Sequence, residues 1–81
     1  MKIYAVCDDA DTQAGLRLAG IGGTVVEGRP ALKTCLERVL ADKDIGVLLI
    51  TQALCAASPE LIHDIRLNRA LPLVTEIPGR G

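Results

Sequence analysis

Residues 45–50, IGVLLI, carry no polar side chain and form the most hydrophobic stretch of the chain. A continuous apolar run that short, preceded by Asp42-Lys43-Asp44 and ended by Thr51, reads as a strand buried on both faces. Strands buried in that way belong to the interior of parallel sheets. Parallel neighbours cannot be joined by tight hairpins, because they need crossover connections, usually helices. The segments on either side should therefore alternate between strand and helix.

They do. Residues 2–6 read as a short strand with β-branched Ile3 and Val6. A helix is predicted over residues 12–21, with Asp11 as its N-cap and Ala14, Leu18 and Ile21 on one face at i, i+4, i+7 spacing. Gly15 inside that helix costs roughly 1 kcal/mol relative to alanine, which close packing against a neighbour would justify. Gly20, Gly22 and Gly23 end the helix and lead into a second strand over residues 24–27. A second helix opens near Pro30 with Leu32, Cys35, Leu36, Val39 and Leu40 as its apolar stripe. Lys33, Glu37 and Arg38 lie away from that stripe.

After the central strand, Thr51 is placed to cap a short helical turn, QALCAA. Ser58-Pro59-Glu60 is an N-cap and first-turn signature for a further helix, with Leu61, Ile62 and Ile65 inward and His63, Asp64 and Arg66 outward. Residues 71–77 form the last strand, and Pro72 is tolerable only near its start. The order β-α-β-α-β-α-β, with right-handed crossovers, predicts an α/β fold with helices on both faces of the sheet. The arrangement expected is flavodoxin-like (receiver-like), a four-stranded parallel sheet in the order 2-1-3-4, as a single domain over residues 1–81.

Composition removes several function classes. An 81-residue domain buries roughly 60–65% of its unfolded surface, enough for one core. The net charge of −1, without a basic cluster, argues against nucleic-acid binding. Tyr4 is the one aromatic residue, so no platform for stacking bases exists either. No apolar stretch is long enough to span a bilayer, and the opening MKIYAV reads as a strand and not a signal peptide. Cys7, Cys35 and Cys55 are widely spaced and odd in number, which suits a reducing cytoplasm in which thiols serve as small hydrophobes.

In open α/β sheets ligands gather at the carboxyl ends of the strands. Asp8, Asp9, Thr51 and Glu76 fall near that edge. An acidic pair after strand 1 resembles the magnesium-holding pair of response-regulator receiver domains. The receiver also needs a phosphoryl-accepting aspartate at the end of its third strand, where Thr51 stands, and a fifth strand preceded by a lysine, which is missing. An EF-hand loop starting at Asp9 would put Ala14 at its glycine position and Gly20 at its bidentate glutamate. The glycines of GIGGT do not follow a strand, and Val25 stands where a dinucleotide motif needs its third glycine. The three acids are accordingly read as capping and solvating a strand-to-helix turn. His63 is read as a surface histidine. Cys7, near a helix N-terminus, would favour a thiolate were it not opposed by Asp8 and Asp9. No catalytic, cofactor-binding or metal-binding residue is assigned.

Three stretches together resemble the F subunit of the V-type (A/V-type) rotary ATPases and ATP synthases. They are KIYAVCDDADTQAGLRLAGI, with Gly15-Leu16-Arg17-Leu18-Ala19-Gly20 at its core; IGVLLIT followed by LIHDIR; and LPLVTEIPG. Cys7 stands where that family usually has glycine, and Leu16 where an aromatic is common. The family normally continues past EIPG into a C-terminal helix, so residues 76–81 would begin the exit toward it. The resemblance implies a non-catalytic, cytoplasmic component of the central stalk (the rotor), peripheral to the membrane. It would dock on the V-type ATPase D subunit, a long coiled coil, and support coupling between the ATP-hydrolysing head and the membrane ring. Its expected partners are that D subunit and the catalytic head and central stalk, with no nucleic acid, cofactor or direct membrane insertion. Thr51, Glu76, Ile77, Pro78 and Gly79 are the interface residues expected on that basis.

Overall fold

The computed structural model describes residues 1–79. Four parallel strands, β1 (Lys2–Cys7), β2 (Gly22–Val25), β3 (Ile45–Thr51) and β4 (Leu73–Ile77), form one sheet in the order β2-β1-β3-β4. The connections are α1 (Ala10–Leu18), α2 (Gly28–Ala41), and the pair α3 (Gln52–Ala57) and α4 (Pro59–Asn68). This is the predicted flavodoxin-like α/β topology. Pro72 directly precedes β4, after a cis Leu71–Pro72 bond, so the strand loses no ladder donor.

The core lies between the sheet and α2, α3 and α4. Val6, Leu48 and Ile50 are fully buried there, against Leu32, Leu36 and Val39 of α2 and Ile62 and Ile65 of α4. Each such side chain contributes about 1.5–3 kcal/mol by leaving water. The predicted stripes of α2 and α4 are the ones buried, because both helices are long enough for a 3.6-residue period to be unambiguous.

The opposite face is covered differently. Only the β1-to-β2 crossover runs toward that side of the sheet, and the later crossovers run the other way. Right-handedness then leaves α1 alone on its face. It lies over β1 and β2, where Gln13 meets Gly23 and Cys7. Beyond it Val47 and Leu49 are only half-buried, Thr75 is exposed and Leu73 is 60% exposed. The central strand is thus sealed on one face and half-open on the other, which corrects the expectation of burial on both.

Helix α1 departs from prediction in other ways. It starts at Ala10, and its N-cap is Asp9, whose carboxylate accepts from the Thr12 N–H at 2.8 Å. Asp11, the predicted cap, sits in the first turn, where its charge suits the helix dipole. The face turned to the sheet carries Gln13 and the partly buried Leu16 instead of Ala14, Leu18 and Ile21, and Leu18 is 92% exposed. Gly15 faces open space, with nothing within 4 Å of where a Cβ would lie, so no packing contact requires it. Gly15→Ala should therefore stabilise the fold by about 0.4–1 kcal/mol, seen as a higher urea midpoint. Strand β2 begins at Gly22 instead of residue 24, because Gly23 lets Gln13 and β1 approach it closely. Thr51 and Ser58 occupy N-cap positions as predicted, yet neither hydroxyl makes the capping bond.

Candidate functional site

The carboxyl ends of β1 and β3 meet where the sequence places its acids. Thr51 is fully buried, and its hydroxyl accepts the Asp8 backbone N–H at 3.2 Å instead of capping α3. The Asp9 carboxylate takes both the N–H and, at 2.7 Å, the hydroxyl of Thr12. Asp8 Oδ1 is enclosed, with no hydrogen-bond partner among the described residues. Thr51 pairs in register with Ile77, and the chain then crosses above the acids. A methyl group on Gly79 would stand 3.3 Å from Asp8 Oδ1 and 3.6 Å from Asp9 Oδ1.

Of the five expected interface residues, Thr51, Ile77 and Gly79 come together, and Pro78 lies exposed between the last two. Glu76 does not join them. Side chains alternate across a strand, so Glu76 projects to the α3–α4 face while Ile77 projects to the other. There it sits against Cys55, in a concavity of about 510 Å³ that also exposes His63 and Arg66. The expectation that Glu76 would gather with Asp8, Asp9 and Thr51 is corrected accordingly. Residues 80 and 81 of the expected exit segment lie outside the described residues.

Among the described residues, no three His, Cys, Asp or Glu side chains converge as metal ligands. Burial, followed by the Glu76 charge and its hydrogen bond, pushes the Cys55 thiol up to about 11. That thiol is protonated at neutral pH, so sharing a concavity with His63 does not make it a nucleophile. Cys7 is likewise pushed up by burial, then by Asp9 and Asp8, and its thiol donates to Gln13 Oε1 at 3.5 Å. The meeting of Cys55, His63 and Glu76 had no sequence signal, because a helix break and a strand separate them.

Since the folded Cys55 pKa lies above its ordinary 9.0, folding favours the protonated thiol. This contribution is complete below about pH 9 and is lost as pH rises toward 11. Urea midpoints measured from pH 8 to 11 should fall more steeply for the parent protein than for Cys55→Ala.

The family described as ATP synthase (F/14-kDa) subunit matches residues 3–81. The A-type ATP synthase F subunit of Thermococcus kodakarensis is 35% identical, over 100% of this chain and 78% of its own length. That of Methanothermobacter thermautotrophicus is 30% identical, over 94% of this chain and 72% of its own length. A match running from the first strand through the last, with the sheet order expected of the resemblance, leads to one conclusion: the chain belongs to the ATP synthase (F/14-kDa) subunit family.

Proposed function

We propose that this chain is a non-catalytic component of a rotary A/V-type ATP synthase or ATPase, docked on the D subunit of the central stalk. In that role it supports coupling between ATP turnover at the head and ion transport. The observation that carries the reading is the family match over nearly the whole chain. The names of the two relatives supply the machine, A-type ATP synthase. Among the described residues no helix is long and apolar enough to cross a membrane, which agrees with a peripheral position.

The docking side proposed is the one carrying Ile77, Pro78 and Gly79, with Thr51 buried beneath them, continuous with the half-open sheet face of Leu49, Leu73 and Thr75. An apolar surface left without a helix suits a coiled-coil partner. Glu76, on the other face, drops out of this surface. Co-expression with the D subunit should give a complex that co-elutes on gel filtration, and Ile77→Asp should weaken it. Separate elution of the two wild-type chains, with any C-terminal extension of the family included, would count against the proposal.

A cation-binding, receiver-like module is the other reading, and the enclosed Asp8 Oδ1 is the observation in its favour. Magnesium titration followed by NMR separates the two. Saturable shifts at Asp8 and Asp9 would support the cation reading.

A further inference from the structure

The edge strand β2 has an unused hydrogen-bonding side. The Val26 N–H donates to the Cys7 carbonyl at 2.9 Å, so by alternation the backbone groups of Thr24 also turn toward β1. Those of Gly23 and Val25 turn outward, and no hydrogen bond reaches them among the described residues. The other edge is different: at β4 the Val74 carbonyl already accepts from Arg66 Nη2 at 3.2 Å.

Beside β2, on the α2 face, runs a groove of about 620 Å³. Val26, Cys35, Val39 and Ile45 give it an apolar floor, and the hydrogen-bonded Tyr4 and Thr24 hydroxyls form part of its rim. It follows α2 from Pro30 to Asp42, roughly 18 Å at 1.5 Å per residue. A strand of about five or six residues, at 3.3 Å each, has that length. The charge on the groove is positive at one place. Asp42 is already paired with Lys2, Nζ to Oδ2 at 2.8 Å, whereas Arg38 makes no ion pair among the described residues.

We propose that β2 and this groove receive an extended segment of a partner protein, added to the sheet as a fifth strand. Its backbone pairs with Gly23 and Val25. Alternate side chains enter the groove, apolar over Cys35 and Val39, with one carboxylate meeting Arg38. The surface lies at the opposite edge from the one proposed for the D subunit and does not depend on that assignment.

The probes are two hexapeptides, Ac-Val-Thr-Val-Thr-Glu-Thr-NH2 and Ac-Glu-Thr-Val-Thr-Val-Thr-NH2, which suit antiparallel and parallel addition. Titrated into the 15N-labelled 81-residue chain at millimolar concentration, at least one should give saturable shifts at the Gly23 and Val25 amides and around Arg38. Arg38→Gln, or glutamine in place of the peptide glutamate, should weaken binding roughly two- to fivefold, as expected for an exposed ion pair. Proline in place of a central residue should abolish the β2 shifts. The proposal is overturned if neither peptide binds, if the shifts fall on β4, or if the proline peptides bind equally well. It is also overturned if the same β2 shifts arise from raising the protein concentration alone, which would make the edge a self-association surface.

Discussion

Leu48→Ala is expected to destabilise the protein by about 2–5 kcal/mol. Leu48 lies in the middle of the central strand, is fully buried, and packs in the cluster that joins the sheet to α2 and α4. Alanine there leaves a cavity that the parallel ladders on both sides prevent from collapsing. A domain of this length has a total stability on the order of 4–12 kcal/mol, so the loss is a large fraction of the whole. With urea m-values of about 1–3 kcal/mol/M, the midpoint should fall by roughly 1 M or more. Leu73→Ala is the matched control. It removes the same atoms from a residue on the half-open face, 60% exposed, and should shift the midpoint little. Equal losses at both positions would contradict the assignment of the core to the α2–α4 side.

The second large effect is expected at Gly23. A Cβ there would overlap the Ala5 carbonyl oxygen of the neighbouring strand and the Gln13 amide, whose Cδ would lie 2.9 Å away. The glutamine can swing aside, but the carbonyl belongs to the β1 backbone and cannot. Gly23→Ala should therefore force β2 away from β1 and cost about 1–3 kcal/mol. Urea denaturation measures the loss, and hydrogen exchange should place it in β2, with amides such as Thr24 losing protection. Adding Gln13→Ala should recover only part of it, since the backbone overlap remains. Full recovery would show that side-chain crowding alone was responsible.

The topology was legible because its signals were strong and redundant. The apolar run of β3 implied a parallel sheet, and α2 and α4 each repeat their apolar face over enough turns to fix its phase. Helix α1 has no such apolar stripe, since its one buried residue is Gln13. Three aspartates competed for one cap, and the side chain that fills the space over Gly23 is a polar glutamine that no apolar pattern would select. The half-open sheet face followed from crossover handedness but was masked by the apolar sequence of β3, whose Val47 and Leu49 point into it. Glu76 was misplaced for a simpler reason. Nearness to a strand end does not fix a face, and the one-residue offset from Ile77 turns it to the other side.

The acids after β1 are tied into the turn between strand and helix by local contacts. Asp9 is occupied as a helix cap, Thr51 holds the turn by accepting from the Asp8 N–H, and Gly79 lies across both carboxylates. The Thr51–Asp8 bond ties the ends of β1 and β3 together, and the Asp9 cap fixes the start of α1. A protein that works by contact with its neighbours needs such a rigid framework more than it needs a reactive group, and the protonated Cys55 thiol fits the same description.

The proposal that this chain works inside a rotary ATPase is tested most directly in the cells that make it. The chain, tagged and expressed at its natural level, should be purified under mild detergent and its companions identified and quantified by mass spectrometry. The eluate should hold the D subunit in equal amount, together with the ATP-hydrolysing head and its ATPase activity. Recovery of the chain without either, under conditions in which a tag elsewhere on the ATPase brings down the intact machine, would overturn the proposal.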